Sequence, residues 1–191
     1  DEPVICVDEK SKQLLEQLRT PIPASPGHPV KEDCEYKRAG TRNIFMAVEP
    51  KGGCRQVEVT TRRTKGDFVQ FIGHLVKKVY VRARKIHLVL DNLNTHFRGS
   101  FEEILGVKEA TQMLERVEFH YTPKHASWLN MAEIEIGIMD RQCTGCRIPN
   151  EQTLRSEVAA WTNRRNQAKS TIDWKFTRQD ADQKLSRHYV S

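Results

Sequence analysis

The feature that most constrains this chain is an apolar run that ends on an acid, within KIHLVLDNLNTH from Lys85 to His96. The large aliphatic residues of this run are typical of a strand that is buried on both faces of a sheet. Asp91 follows at the carboxyl end of that strand, where open α/β sheets usually place their ligands. A simpler interpretation is that Asp91 and Asn92 only begin a turn or cap a helix.

A second apolar run near the start of the chain ends in the same way. The run from Pro3 to Val7 is followed directly by Asp8 and Glu9. If the two strands are neighbours, Asp8 and Asp91 lie at equivalent strand ends, about 4.8 Å apart. Taken alone, Asp8 and Glu9 are equally consistent with the polar edge of a strand.

The other periodic segments predict a mixed α/β domain. Two β-type runs, Asn43 to Val48 and Cys54 to Thr60, flank a short loop with two glycines and predict a hairpin. Thr64, with Asp67 three positions later, predicts the start of an amphipathic helix. Another strand is predicted at Val117 to Thr122. The element order of strand, hairpin, helix, strand, helix, strand and helix favours an α/β fold with right-handed crossovers.

A proline-rich segment separates the first strand from the hairpin. Its four prolines lie between residues 21 and 29, a spacing that excludes a continuous helix or a central strand. We therefore expect a Pro-rich arm at about residues 11–42, which either has a function or is disordered. Basic residues near this arm and after the hairpin are candidates for phosphate contacts, or else for solvated surface. They are Lys37, Arg38, Arg42, Arg62 and Arg63.

The stretch from Pro123 to Met139 fits both a strand and a helix by its periodicity. Asn130 followed three residues later by Glu133 resembles a capping box and favours a helix. On that helix Glu133 and Glu135 point in different directions. Glu133 is then either the cap of its own helix or a third carboxylate beside the two strand-end acids.

Composition limits the classes of protein that this chain can belong to. The 191 residues suffice for one domain with a core. A net charge of +6 suits an anionic partner. The chain lacks both an apolar run of roughly 18 residues and a signal peptide, so we expect a cytoplasmic protein without a membrane partner. The five cysteines predict reduced thiols, and Cys143 with Cys146 forms a CxxC that lacks the other ligands of a structural zinc site.

Convergence of Asp8, Asp91 and Glu133 would have a clear chemical consequence. Clustered carboxylates repel one another unless cations neutralise them, which predicts hard metal ions with oxygen ligands. Two Mg²⁺ ions about 3.5–4 Å apart would activate a water or hydroxyl and stabilise the leaving oxygen of a phosphodiester.

At these same residues the sequence resembles the DDE transposases of bacterial insertion sequences in the mariner superfamily. The resemblance extends over roughly residues 3–176 and includes the Pro-rich arm. It rests on three motifs in order, VDEKS at Val7 to Ser11, LDNLNTH at Leu90 to His96 and TPKHASWLNMAE at Thr122 to Glu133. Each motif is weak alone, but the three together are specific.

The resemblance implies a ribonuclease-H-like fold, a mixed five-stranded sheet flanked by helices, over residues 1–176. The remaining residues, 177–191, are polar with little periodicity, and we expect a weakly structured tail there. It implies that Asp8, Asp91 and Glu133 are catalytic and bind two Mg²⁺ or Mn²⁺ ions. Cleavage at transposon ends and strand transfer into target DNA are implied as well, by a homodimer assembled on DNA in the bacterial nucleoid. Other residues of these motifs are expected beside the metal ligands or the DNA. They are Glu9, Asn92, His96, His125 and Asn130.

The chain departs from the family pattern in two respects. Relatives often carry an aromatic pair soon after the glutamate, where this chain has Glu135 and Ile136. Glu135 is therefore a rival third ligand. The family also carries a helix-turn-helix region ahead of the catalytic domain, and because this sequence shows none, we expect end recognition to reside in residues upstream. Another ribonuclease-H-like nuclease and a catalytically inactive DNA-binding derivative remain as alternatives.

Overall fold

The computed structural model describes residues 2–124 and 126–186, which form a mixed five-stranded sheet with helices on both faces. The strand order is β3-β2-β1-β4-β5. β2 is antiparallel to both of its neighbours, whereas β1, β4 and β5 run parallel. The predicted sheet is therefore confirmed, and the first and fourth strands are neighbours. The strands are β1 (Val4–Gln17), β2 (Tyr36–Glu49), β3 (Cys54–Thr60), β4 (Ile86–Leu90) and β5 (Val117–Tyr121).

Six α-helices connect or follow these strands in the described part of the chain. The first begins at the predicted cap, where the side chains of Thr64 and Asp67 form a capping box. The fourth begins after Asn130, so the helical interpretation of the ambiguous stretch is confirmed. The helices are α1 (Lys65–His74), α2 (Arg98–Leu105), α3 (Val107–Leu114), α4 (Met131–Met139), α5 (Glu151–Gln167) and α6 (Arg178–Leu185).

Two apolar layers hold the helices against the sheet. Alternation along β1 and β4 directs Ile5, Val7 and Leu88 towards α1, α2 and α3. On the opposite face, β2 and β3 pack against α4 and α5 through residues such as Met46 and Trp161. Because side chains alternate between the two faces of a strand, the residues that follow the buried part of β1 or β4 also lie on a known face of the sheet.

Both ends of the segment expected to form the Pro-rich arm, residues 11–42, are β-strands. β1 continues to Gln17 and β2 begins at Tyr36, and these two residues are paired in an antiparallel ladder. The prolines occupy only the connecting segment, where Pro26 and Gly27 form the centre of a turn and Gly27 has a φ of 78°. The two leucines in the outer half of β1, Leu14 and Leu15, are adjacent and do not alternate with polar residues, so no strand pattern marked this part of the chain, although Leu14 is buried in the core.

The hairpin formed by β1 and β2 is fixed against the loop that precedes α5. Arg147 donates to the carbonyl of Asp33 at 2.6 Å and lies over the ring of Tyr36. The main-chain N–H of Leu15 donates to the carbonyl of Ile148 at 2.8 Å. The stem of the arm is therefore part of the folded domain.

The expectation of a weakly structured tail after residue 176 is wrong for residues 178–185, which form α6. Thr177 and Asp180 form a capping box of the same kind as that of α1. The ammonium of Lys184 lies 5.0 Å from the centre of the Trp128 ring, which attaches this helix to the body of the domain. Residues 187–191 of the predicted tail lie outside the described residues. None of the helices in the described part of the chain is long and apolar enough to cross a membrane.

Candidate active site

Asp8 and Asp91 occupy equivalent positions beyond two adjacent parallel strands. Cys6 of β1 is paired with Val89 of β4, and each acid lies two residues further along its strand. Because side chains alternate, both acids emerge on the face where Cys6 packs against Ala132 of α4. The sheet register thus brings together two acids that are far apart in sequence.

Asn130 joins the start of α4 to the end of β1. Its buried side chain donates from Nδ2 to the carbonyl of Val7 at 2.8 Å, and its Oδ1 accepts from the N–H of Ala132 at 3.1 Å. Val7 immediately precedes Asp8, and Glu133 lies in the first turn of α4. A single amide side chain therefore connects the segment that carries Asp8 with the helix that carries Glu133.

The surroundings of Asp8 disfavour its charged form. Burial raises its pKa to about 7, and the negative charges of Asp91, Glu9 and Glu133 act in the same direction. The N–H of Glu9, 2.8 Å from Asp8 Oδ1, opposes the shift. Carboxylate oxygens are the kind of ligand that a hard divalent cation such as Mg²⁺ or Mn²⁺ prefers.

His96 lies between two of the acids. Its fully buried ring has Nδ1 2.6 Å from Asp91 Oδ1 and Nε2 3.0 Å from Glu9 Oε2. Burial would lower its pKa, but the hydrogen bonds to Asp91 and Glu9 dominate and raise the pKa to about 9. Burial would likewise raise the pKa of Asp91, yet His96 and the N–H of Leu93 hold it below its usual value. At neutral pH the protonated ring therefore donates to both carboxylates.

The remaining residues of the three motifs have different surroundings. Glu9 also lies 3.5 Å from the Arg63 guanidinium. Asn92 donates to the carbonyl of Thr122, which links the segments that follow β4 and β5. His125 lies outside the described residues.

The five basic candidates for DNA contact fall into two groups. Arg38 and Arg62 are exposed, and Arg63 is the one beside the candidate site. Lys37 instead pairs with an acid on the neighbouring strand, Glu16, at 3.0 Å, and Arg42 pairs with Glu151 of α5. Lys37, Arg42 and Arg63 therefore already have acidic partners in the described structure.

Glu135, the rival third ligand, lies on another face of α4 and is fully buried. Its Oε1 accepts from Arg55 Nε at 2.8 Å and from Arg165 Nε at 2.9 Å. Its Oε2 accepts from Nη2 of each of these arginines at 3.1 Å. Burial would raise the pKa of Glu135, but the two guanidinium groups lower it. This carboxylate holds α4 against β3 and α5.

Sequence reasoning missed the two arginines that hold Glu135. One local signal was available, because Glu135 shares a helix face with Ile136 and other buried apolar residues of α4. An acid on an apolar face needs a buried cationic partner. No local pattern distinguishes Arg55 and Arg165 from the other arginines, because they lie on β3 and α5, far from Glu135 in sequence.

Comparisons with known proteins identify the family of this chain and proteins of similar fold. The pattern that defines the family described as DDE superfamily endonuclease matches residues 3–155. The fold is similar to that of the Mos1 strand transfer complex, with a TM-score of 0.55 and 12% identity over 85% of this chain and 47% of that chain. It is similarly close to the Mos1 mariner paired end complex with Mn, with a TM-score of 0.54 and 13% identity over 88% of this chain and 52% of that one. The chain thus spans about half the length of these two proteins. No curated protein matches the sequence.

Proposed function

The chain belongs to the DDE superfamily endonuclease family, and from this premise we propose that it is the catalytic domain of a transposase. It cleaves DNA strands at transposon ends and joins the freed 3′ hydroxyls to target DNA. The observation that carries this proposal is the shared strand-end position of Asp8 and Asp91, with the helix of Glu133 tied to the same end of β1. The site acts on DNA in the bacterial cytoplasm, at the nucleoid.

Asp8, Asp91 and Glu133 are the proposed ligands of two Mg²⁺ or Mn²⁺ ions. Their all-oxygen donor set and their mutual repulsion support this assignment. When bound, the ions supply Lewis-acid stabilisation and an activated water or hydroxyl. Glu133 rather than Glu135 is the third ligand, because both oxygens of Glu135 already accept hydrogen bonds from two arginines.

The neighbouring polar residues position these acids. His96 holds Asp91 through Oδ1, and Glu9 holds the second nitrogen of the same ring. Asn130 sets the distance between β1 and the start of α4. Such support matters because residues around metal ligands fix ligand orientation and affect activity.

DNA contacts are proposed for the basic residues around the site and the arm. Arg63 is nearest to the acids through its contact with Glu9, and Arg38 and Arg62 are exposed. Lys37 and Arg42 can contact phosphate once their ion pairs with Glu16 and Glu151 have broken. The arm formed by the β1–β2 hairpin extends beyond the core and, in our proposal, contacts DNA or the second subunit of a homodimer assembled on DNA.

Metal-dependent strand cleavage is the direct test of this function. The chain, together with the upstream residues expected to recognise the ends, is incubated with Mg²⁺ or Mn²⁺ and labelled duplex DNA that carries transposon ends, and nicked and joined products are separated on denaturing gels. We expect cleavage by the parent protein and a loss of at least about 10³-fold in Asp91→Asn, because the main source of transition-state stabilisation is removed.

The substrates and one control distinguish the alternatives. Preferential cleavage of RNA–DNA hybrids or branched DNA would indicate another ribonuclease-H-like nuclease. DNA binding without cleavage, together with no calorimetric Mn²⁺ binding by the folded protein, would indicate an inactive derivative. Equal activity of Asp91→Asn and the parent would contradict the three-acid site.

A further inference from the structure

A second group of metal-ligating side chains lies on β4 and β5, outside the candidate active site. His87 Nδ1 and His120 Nε2 are 2.9 Å apart. Glu118 places Oε1 3.5 Å from His120 Nε2 and Oε2 4.0 Å from His87 Nδ1. One ligand atom from each residue therefore lies within 4.8 Å of the others.

The sheet itself sets the spacing of these three side chains. His87 is paired with Glu118, and Val89 is paired with His120, in the parallel ladder of β4 and β5. Glu118 and His120 are two residues apart and so project from the same face of their strand. Two adjacent, well-paired strands therefore hold the ligands, and no flexible loop is involved.

Solvent and ions have access to the group. The side chains are partly exposed, 22% for His87, 42% for Glu118 and 43% for His120. The residues of α4 and α5 in the apolar layer on this face pack against β1, β2 and β3. A metal ion can therefore approach this part of the sheet from outside without opening the core.

The donor set selects a different kind of metal from that proposed for the acids. Two imidazoles and one carboxylate are typical of zinc and related transition metals, whereas Mg²⁺ prefers oxygen ligands alone. With zinc–nitrogen bonds of about 2.0–2.1 Å, tetrahedral coordination needs a nitrogen separation of about 3.3 Å, so the imidazoles must move apart by only a few tenths of an ångström.

We propose that His87, Glu118 and His120 bind one transition-metal ion of the zinc type, with water as a fourth ligand. The ion replaces the hydrogen bond between the two rings and joins β4 to β5. His87 precedes Asp91 by four residues, about 13 Å along the strand, so this centre is separate from the acids. Lys85 competes with the metal, because its ammonium pairs with Glu118.

Metal titration of the full chain tests the site. We expect calorimetry to show saturable binding of one Zn²⁺ per chain at this site, and Co²⁺ to give the visible absorption of tetrahedral nitrogen and oxygen coordination. Zinc should also raise the melting temperature, because it binds the folded state. All three signals should be lost in the double variant His87→Ala/His120→Ala, while Asp91→Asn and the exposed-histidine control His28→Ala should retain them.

Two further variants separate this site from other zinc-binding groups. Cys143→Ser/Cys146→Ser removes the CxxC and should leave the nitrogen-and-oxygen Co²⁺ spectrum unchanged. Lys85→Gln frees Glu118 and should tighten zinc binding several-fold. The proposal is overturned if the parent binds no zinc, if the double histidine variant binds as tightly as the parent, or if only the cysteine variant loses binding.

Discussion

His96 fixes Asp91 through one carboxylate oxygen. The ring Nδ1 lies 2.6 Å from Asp91 Oδ1, and the N–H of Leu93 also donates to Oδ1 at 3.2 Å. Glu9 holds the other ring nitrogen, so the imidazole cannot rotate without losing a bond. This arrangement orients Asp91 while its second oxygen, Oδ2, serves in our proposal as the metal ligand.

Replacement of His96 tests this orienting role. We expect His96→Ala to lower metal-dependent cleavage by about 10–100-fold, the usual effect of removing a residue that orients a metal ligand. The cleavage rate should be measured across a range of Mg²⁺ concentrations, alongside the melting temperature. His74→Ala, an exposed histidine at the end of α1, is the matched control and should behave as the parent does. Cleavage by folded His96→Ala at the parental rate would contradict the role.

Asn130 and Asn150 offer a matched pair of helix caps. Both side chains accept a hydrogen bond from the first turn of their helix, but only Asn130 also donates to the strand that carries Asp8. Each change to alanine should cost about 1 kcal/mol of stability for the lost cap. We expect Asn130→Ala to lose cleavage as well, because Glu133 is no longer fixed relative to Asp8. Asn150→Ala should keep it, and equal cleavage rates in the two variants would show that Asn130 acts only as a cap.

Glu133 and Glu135 should respond in opposite ways to the same substitution. Glu135→Gln leaves Arg55 buried without its anionic partner and should lower the free energy of unfolding by about 3–5 kcal/mol. Glu133→Gln should preserve stability but abolish cleavage and weaken metal binding. Urea unfolding measures the first effect, and Mn²⁺ calorimetry with cleavage assays measures the second. A stable but inactive Glu135→Gln, with Glu133→Gln still active, would reverse the assignment.

Local sequence patterns predicted those features around the site that depend only on residues close together in the chain. The apolar run before Asp91 marked a strand end, and Thr64 with Asp67 marked a helix start, because strand burial and capping depend on neighbouring residues. The family motifs then indicated which acids belong together. The ladder between β1 and β4 supplied the physical reason, since it aligns Asp8 with Asp91.

Interactions between distant residues could not be predicted in this way. Arg55 and Glu135 are separated by 80 positions, and their pairing depends on how α4 and α5 pack on the sheet. The outer halves of β1 and β2 escaped prediction because their few apolar residues, such as Leu14 and Leu15, do not alternate along the strand. The helix α6 was not predicted for a different reason. Its capping box, Thr177 with Asp180, is visible in the sequence, but the residues that follow show no apolar periodicity that would indicate a helix.

The tip of the arm should be dispensable for folding. Its turn is closed by bonds between Ser25 and His28, within the tip itself, whereas the stem is fixed by Arg147. Deletion of Pro21 to Pro29 should therefore leave the melting temperature nearly unchanged but weaken assembly on DNA. Light scattering of protein–DNA mixtures measures this assembly, and Arg147→Ala, which releases the stem, provides a comparison. Unchanged assembly after deletion would contradict a role for the tip.

The two groups of basic residues should differ in the salt dependence of DNA binding. Arg62 is exposed, so losing its proposed phosphate contact in Arg62→Ala should reduce the slope of log K against log salt by about 1. Arg42 already pairs with Glu151, and this ion pair must break before Arg42 can contact a phosphate. Arg42→Ala should therefore change the slope less. Fluorescence anisotropy with labelled duplex DNA at several salt concentrations gives both slopes, and an unaltered slope in Arg62→Ala would remove that residue from the DNA interface.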